Sequence, residues 1–259
     1  MADEVLVERD GPIGRLTINR PERRNALSWD VVGLLRQGLA ALKADDGIRV
    51  VVLGGAGDKA FCAGADLSTM AEGAGVAELH EARGGLADLF RELWRLGKPT
   101  IARVQGHALA GGFGLALSCD LIVASERATF GTPEINIGLW PFMISVPMLR
   151  SMPPRKALEL MMTGRRLGVD EAARIGFVSR VVPDADLDDA VSELAQELAS
   201  KPAAVMRLGR DSFYSTLGEP GDAALHELQA MLSVATGLED AREGREAFIE
   251  RRPPNWTHR

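Results

Sequence analysis

Short unbroken apolar runs alternate along this chain with longer stretches in which apolar residues recur every three or four positions. Val50-Val51-Val52-Leu53 suits a strand covered on both faces, since a strand between two packed layers needs no polar side. Ahead of it, Val31, Leu34, Leu35, Leu39 and Leu42 fall on one face of a helix that Ser28 can cap and that runs to about Ala44. Val5-Leu6-Val7 and Leu16-Thr17-Ile18 flank Gly11-Pro12-Ile13-Gly14, which predicts an opening hairpin with its turn over those residues. A helix around Glu78 to Leu96 precedes a strand at Thr100 to Val104. A short helix from near Gly112 precedes a strand at Asp120 to Ala124.

After Pro133 the helical period dominates: Arg155 to Met162, Val169 to Ile175, Leu187 to Ala199, Ala203 to Tyr214, Ala223 to Thr236 and Asp240 to Arg251. The pattern predicts an α/β core over residues 1–185 and a helical C-terminal region over 186–259. Periodicity alone does not choose between a doubly wound sheet and other α/β arrangements. With 259 residues and 46% hydrophobic content, the chain can bury a substantial core. A net charge of −6 argues against nucleic acid as a partner, because phosphate binding wants a basic face. Cys62 and Cys119 are too few for a disulfide scaffold or a cysteine-rich zinc site, and a reduced interior is the simplest reading. His80, His107, His226 and His258 lack metal-ligand spacing, so no metal site is expected. No stretch approaches the ~18 apolar residues of a membrane span, and the first residues lack a basic region followed by an apolar run. The expectation is a soluble cytoplasmic protein without membrane association.

Candidate chemistry enters with two distant segments, Ala60 to Leu67 and Gly106 to Gly114, both rich in glycine and alanine. Small residues let a ligand approach the backbone, and two N–H groups converging on one oxygen form an oxyanion hole. A Walker phosphate loop would need Lys and Ser/Thr after Gly111, where Gly112-Phe113 stands. A dinucleotide fingerprint would need a third glycine three residues beyond Gly114, where Leu115-Ala116-Leu117 follows. Both nucleotide readings fail.

The ordered series Asn19-Arg20-Pro21, Asn25-Ala26-Leu27, Phe61 to Leu67, Gly106 to Asp120, Phe130-Gly131-Thr132-Pro133-Glu134, Thr163-Gly164 and Ala247-Phe248 resembles the enoyl-CoA hydratase/isomerase, or crotonase, family over nearly its whole length. The resemblance implies a crotonase-like spiral of ββα units with a helical C-terminal trimerisation region, forming a homotrimer or a dimer of trimers. It implies an acyl-CoA thioester as substrate, with no separate cofactor. It assigns the oxyanion donors to the N–H groups of Ala65 and Gly111, and acid/base work to Glu134. The triplet Ala110-Gly111-Gly112 should keep the backbone approach, since alanine adds only a methyl group. Arg24, Ala63, Asp66 and Leu67 fall where family members hold adenine and pantetheine, and Phe248 and Arg251 match C-terminal positions that approach CoA, sometimes from a neighbouring subunit.

Read by itself, Thr132-Pro133-Glu134 also suits an N-cap, a first-turn proline and a carboxylate at a helix start. A helix start would lower the carboxyl's pKa, while burial among Phe130, Ile135 and Ile137 would raise it. Hydratases of the family carry a second glutamate where this chain has Gly114. Glu134 alone can remove an α-proton and return it to the γ-carbon, so double-bond migration and hydration both stay open, with a catalytically inactive acyl-CoA-binding protein as the alternative. Gly138-Leu139-Trp140-Pro141-Phe142-Met143-Ile144 is bulky where many members are glycine-rich, and Trp140 is expected to shape the acyl pocket. Cys62 has no sequence neighbour to act as its base and reads as an inert thiol.

Overall fold

In the computed structural model residues 3–66 and 75–258 are described. Strands β1 (Val5–Asp10) and β2 (Ile13–Ile18) pair antiparallel with Asp10 opposite Ile13, which leaves Gly11-Pro12 alone to turn the chain. Gly11 takes φ 57°, and Ile13 and Gly14, expected in the turn, are already strand because their backbones continue the ladder beside Asp10 and Arg9. Helix α1 (Trp29–Ala44) starts where the sequence places it, with Ser28 Oγ accepting from Val31 N–H at 3.2 Å. Its inner face carries Val31, Val32, Leu35, Leu39 and Leu42, while Leu34 lies at the rim, 38% exposed.

Three successive units then repeat one path: a long strand, a short strand and a helix. They are β3 (Val50–Gly55), β4 (Ala60–Cys62) and α2 (Val76–Trp94); β5 (Thr100–Val104), β6 (His107–Leu109) and α3 (Gly111–Leu117); and β7 (Leu121–Ser125), β8 (Thr129–Gly131) and α4 (Ser145–Ser151), the last followed by α5 (Pro154–Thr163). The chain continues through β9 (Arg166–Gly168), α6 (Val169–Ile175) and β10 (Arg180–Val182). The long strands join one sheet in the order β1-β2-β3-β5-β7-β10, and the short ones a second sheet in the order β4-β6-β8-β9. Among the described residues β1/β2 and β8/β9 pair antiparallel and the other pairs are parallel. This alternation between two sheets is the ββα spiral that the resemblance implies.

The main core fills the space between the sheets and α1 to α6, with Phe61, Phe113 and Phe130 fully enclosed. A second core covers the other face of the large sheet. There Leu187, Val191, Leu194 and Ala195 of α7 (Leu187–Ala199) pack on Ile13, Val50, Val52, Ile101 and Val123. Removing a side chain of this size from water is worth ~1.5–3 kcal/mol, so this helix is held to the sheet by burial. Helices α8 (Ala203–Thr216), α9 (Gly221–Thr236) and α10 (Glu239–Glu250) pack on one another instead. Arg210 ties them to the core: its Nε donates to Asp120 Oδ2 at 2.8 Å, and Nη1 and Nη2 donate to the carbonyls of Trp94 and Leu93 at 3.0 and 2.5 Å. Asp120, itself half-buried, also accepts from Thr100 N–H, Thr100 Oγ1 and Tyr214 OH, so the pair is well satisfied.

Candidate active site

Residues 24–27 build the first segment of the site. Arg24 and Asn25 both take left-handed backbone, with φ 52° and 56°, so the chain folds back and Arg24 offers its carbonyl to Ala63 N–H at 3.0 Å. Asn25 is wholly enclosed, which is affordable because it is saturated: Nδ2 donates to the carbonyls of Ala56 and Ala60, and Oδ1 accepts from Arg20 N–H. Leu27 then runs parallel to Ala65, its N–H on Gly64 O and its carbonyl receiving Asp66 N–H, each at 2.8 Å. Those two bonds leave the Ala65 N–H on the opposite side of the strand, with no acceptor among the described residues.

The second segment meets the first through absent side chains. A Cβ on Gly112 would stand 2.2 Å from Cys62 O, and one on Gly64 would stand 2.5 Å from Ala110 Cβ and 3.5 Å from Gly111 N. Cys62 and Gly64 are therefore in contact with residues 110–112, which places Gly64, the residue before Ala65, beside Gly111. Gly111 is the first residue of α3, and its N–H likewise has no acceptor among the described residues. An unpaired pair of backbone donors is what an oxyanion needs. Ala110 does more than add a methyl group: it sits at φ 52° and ψ −129°, a conformation that suits glycine. Such strain costs about 1–3 kcal/mol and persists only where the surroundings impose it.

The chain that carries Glu134 leaves the small sheet beside the second segment. Leu109 lies opposite Gly131 in the small sheet, and Gly131 O accepts Ala110 N–H at 2.9 Å, so the chain leaving β8 starts beside the second segment. It enters a 3₁₀ turn, Pro133–Ile137, with proline at the start as expected, although Thr132 makes no side-chain cap and its Oγ1 is buried without a partner. Glu134 is half-buried and its Oε2 is enclosed with no hydrogen-bond partner. Burial lifts its pKa above the ordinary carboxyl range, opposed in part by its own backbone N–H. The rise comes without the two flanking isoleucines, since Ile135 and Ile137 are exposed.

A profile of the enoyl-CoA hydratase/isomerase family matches residues 8–259. The chain belongs to that family. It is 38% identical to a protein of Mycobacterium bovis named a probable enoyl-CoA hydratase, over 99% of both chains. It is 37% identical to a carnitinyl-CoA dehydratase of Salmonella paratyphi A over the full length of both. Among solved structures, an enoyl-CoA hydratase of Mycobacterium smegmatis superposes with a TM-score of 0.94 at 33% identity, covering 98% of each chain. A human enoyl coenzyme A hydratase domain-containing protein gives 0.94 at 29% identity, over 98% of this chain and all of the other.

The remaining expected residues of this enoyl-CoA hydratase/isomerase family member fall in different settings. Ala63 is half-buried, and Asp66 is buried with its Oδ2 paired to Arg20 Nη2 at 3.0 Å, so that carboxylate also holds the segment together. Arg24 is exposed at the turn, and Leu67 lies outside the described residues. Trp140 is half-buried against the main core with Met143. Phe248, 85% exposed, and Arg251 lie at the end of α10, which packs on α8 and α9.

The sequence reading missed three features. Gly114 faces no open space: a Cβ there would meet Phe90 Cζ at 2.8 Å and both γ-carbons of Ile144 at 3.3 Å. Leu27 and Leu86 stand 3.5 Å from the corresponding point on Gly111, so the α3 turn carrying the donor is walled by apolar side chains. His107 bonds Thr129 Oγ1 at 2.7 Å, and burial first, then the charges of Arg166 and Arg24, hold its pKa down. Arg24 thus shares a positive neighbourhood with Arg166. Cys62, fully buried, has its thiol pushed up to about 12 by burial, which disqualifies it as a nucleophile at neutral pH. Among the described residues no group of three or more His, Cys, Asp or Glu side chains converges as a metal site. No described helix is long and apolar enough to cross a membrane.

Proposed function

We propose that this protein moves the double bond of an enoyl-CoA thioester between the 3,4 and 2,3 positions. The Glu134 carboxylate takes a proton from the α-carbon of a 3-enoyl-CoA, and the electrons of the broken C–H bond pass into the thioester. The dienolate oxygen accepts the N–H groups of Ala65 and Gly111, each donor of such a hole being worth ~3–4 kcal/mol. Glu134 then returns its proton to the γ-carbon, leaving the conjugated 2-enoyl-CoA. A carboxyl lifted by burial suits both halves, since it is a stronger base before transfer and a ready acid after it.

The observation that carries this reading is the closure of Gly114 by Phe90 and Ile144. Hydration needs water oriented on the β-carbon as well as a proton for the α-carbon, and the wall on that side is apolar. Hydration is the second reading, favoured by relatives named enoyl-CoA hydratase and carnitinyl-CoA dehydratase, names that also support a CoA thioester as substrate. The chemistry calls for no metal or redox cofactor. Arg24, Ala63, Asp66 and Leu67 are assigned to CoA, Trp140 to the acyl group, and Phe248 and Arg251 to CoA held by a neighbouring subunit. The exposure of Phe213, Leu225, Leu232, Val234, Phe248 and Ile249 supports a homo-oligomer built through the C-terminal helices, which we take to be a homotrimer or a dimer of trimers; a cytoplasmic location is part of the same proposal and rests on no contact in the structure.

The test is the appearance of 2-enoyl-CoA absorbance from 3-enoyl-CoA, run beside Glu134→Gln. Turnover that survives the substitution overturns the assignment of Glu134. Tight binding of the thioester with no turnover in either protein favours the acyl-CoA-binding alternative.

A further inference from the structure

Ala110 occupies the junction of the two backbone segments in a conformation its own side chain opposes. Arg24 and Arg251 also have positive φ, but their ψ values of 35° and 38° are those of ordinary left-handed turns, whereas Ala110 has ψ −129°. That ψ sets the plane of the peptide joining Ala110 to Gly111. The Ala110 carbonyl is turned into α3, where it accepts Phe113 N–H at 2.9 Å and Gly114 N–H at 3.1 Å. In a trans peptide the N–H points opposite to the carbonyl, so the Gly111 N–H is directed away from the helix. On its other side Ala110 is fixed by donating its own N–H to Gly131 O at 2.9 Å. The methyl lies where Gly64 lacks a side chain, 2.5 Å from the position of a Gly64 Cβ. Gly64 is itself at φ 99° and precedes the other donor, Ala65.

We propose that Ala110 is a positioning residue whose methyl, seated on Gly64, sets the separation of the Ala65 and Gly111 N–H groups and keeps the 110–111 peptide from rocking. The proposal rests on the reading of those groups as oxyanion donors. A glycine at 110 would fit the backbone better and would still lose the spacer. The site thus trades conformational ease for a fixed donor pair. Glycine reaches more of φ/ψ space, so the Gly111 N–H would sample directions that miss the thioester oxygen.

The experiment compares the native protein with Ala110→Gly and Ala110→Ser, using an arylacryloyl-CoA whose absorption moves to the red when its carbonyl is polarised. Binding alone gives the signal, so it does not depend on turnover. The expected result is a red shift in the native protein, a smaller shift in Ala110→Gly, and recovery of most of it in Ala110→Ser, which keeps the Cβ. With a 3-enoyl-CoA substrate, kcat of Ala110→Gly should fall about 10- to 100-fold with KM little changed, as for a slightly misplaced group. Its melting temperature should equal or exceed the native value, which separates misplacement from unfolding. A native-sized shift and native kcat in Ala110→Gly would overturn the proposal while leaving the donors in place. No shift in the native protein would remove the donor assignment, and the proposal with it.

Discussion

Glu134→Gln should make the protein more stable and less active, with the stability gain growing as pH rises. The carboxyl is half-buried and Oε2 has no partner, and its pKa is raised by burial. A carboxyl with a folded-state pKa above its unfolded value holds its proton more tightly when folded. Its contribution to stability is complete below the unfolded pKa and is lost as pH rises through the raised folded pKa. A glutamine of the same shape does not titrate, so the two proteins should differ least in acid and most above the folded pKa of Glu134. An unsatisfied buried polar group costs about 1–3 kcal/mol, and the unpaired glutamine amide gives part of that back. A net gain of about 1 kcal/mol would raise Tm by about 2–4 °C in a chain of this size. Activity should fall about 100- to 10,000-fold, the usual contribution of one general acid or base. Thermal melts of both proteins over a pH series, paired with initial rates, give all three quantities. A difference in Tm that stays constant with pH, or a glutamine protein that is less stable at neutral pH, would refute the reasoning by showing that ionised Glu134 has a favourable partner.

Other expectations follow from the same contacts. Gly112→Ala places a methyl 2.2 Å from the Cys62 carbonyl, so the two segments must part; soluble protein with native activity would contradict that packing. Arg210→Ala leaves the half-buried Asp120 without its cation and two α2 carbonyls without their donors, which should cost about 1–3 kcal/mol in denaturant unfolding. Phe90→Ala combined with Gly114→Glu opens the wall and supplies a second carboxylate, and a gain in 3-hydroxyacyl-CoA formation over either single change is expected. Cys62 and Cys119 should resist alkylation until the protein unfolds, because burial raises both thiols.

The elements with a clear period were legible in the sequence: α6 and α7 match their expected bounds, and the Ser28 cap of α1 is formed. The three-residue strands β4, β6, β8 and β9 were not, because three residues carry no period and they exist by pairing with one another. The hairpin turn was read too long because Gly14 looks like a turn residue, yet glycine there lets Leu42 and Ile48 close over the strand, with a Cβ 2.6 and 3.2 Å from them. At the site, Ala65, Gly111 and Glu134 stand out in the sequence only through the motifs that flank them. The Phe90–Ile144 wall was not legible, since those residues lie far from Gly114 in sequence on a helix and a loop whose meeting no local pattern encodes. The strain at Ala110 was equally hidden, since alanine carries no mark of positive φ.

The central claim is that one carboxylate moves a proton while no water is added. Proton NMR of the protein with matched 2-enoyl-CoA and 3-enoyl-CoA in deuterated water, beside Glu134→Gln, tests it most directly. The account predicts migration of the double bond, abolished by the substitution, with deuterium entering at the α- and γ-carbons only to the extent that the Glu134 carboxyl exchanges its proton with solvent between the two transfers. Formation of 3-hydroxyacyl-CoA as the main Glu134-dependent product would contradict it.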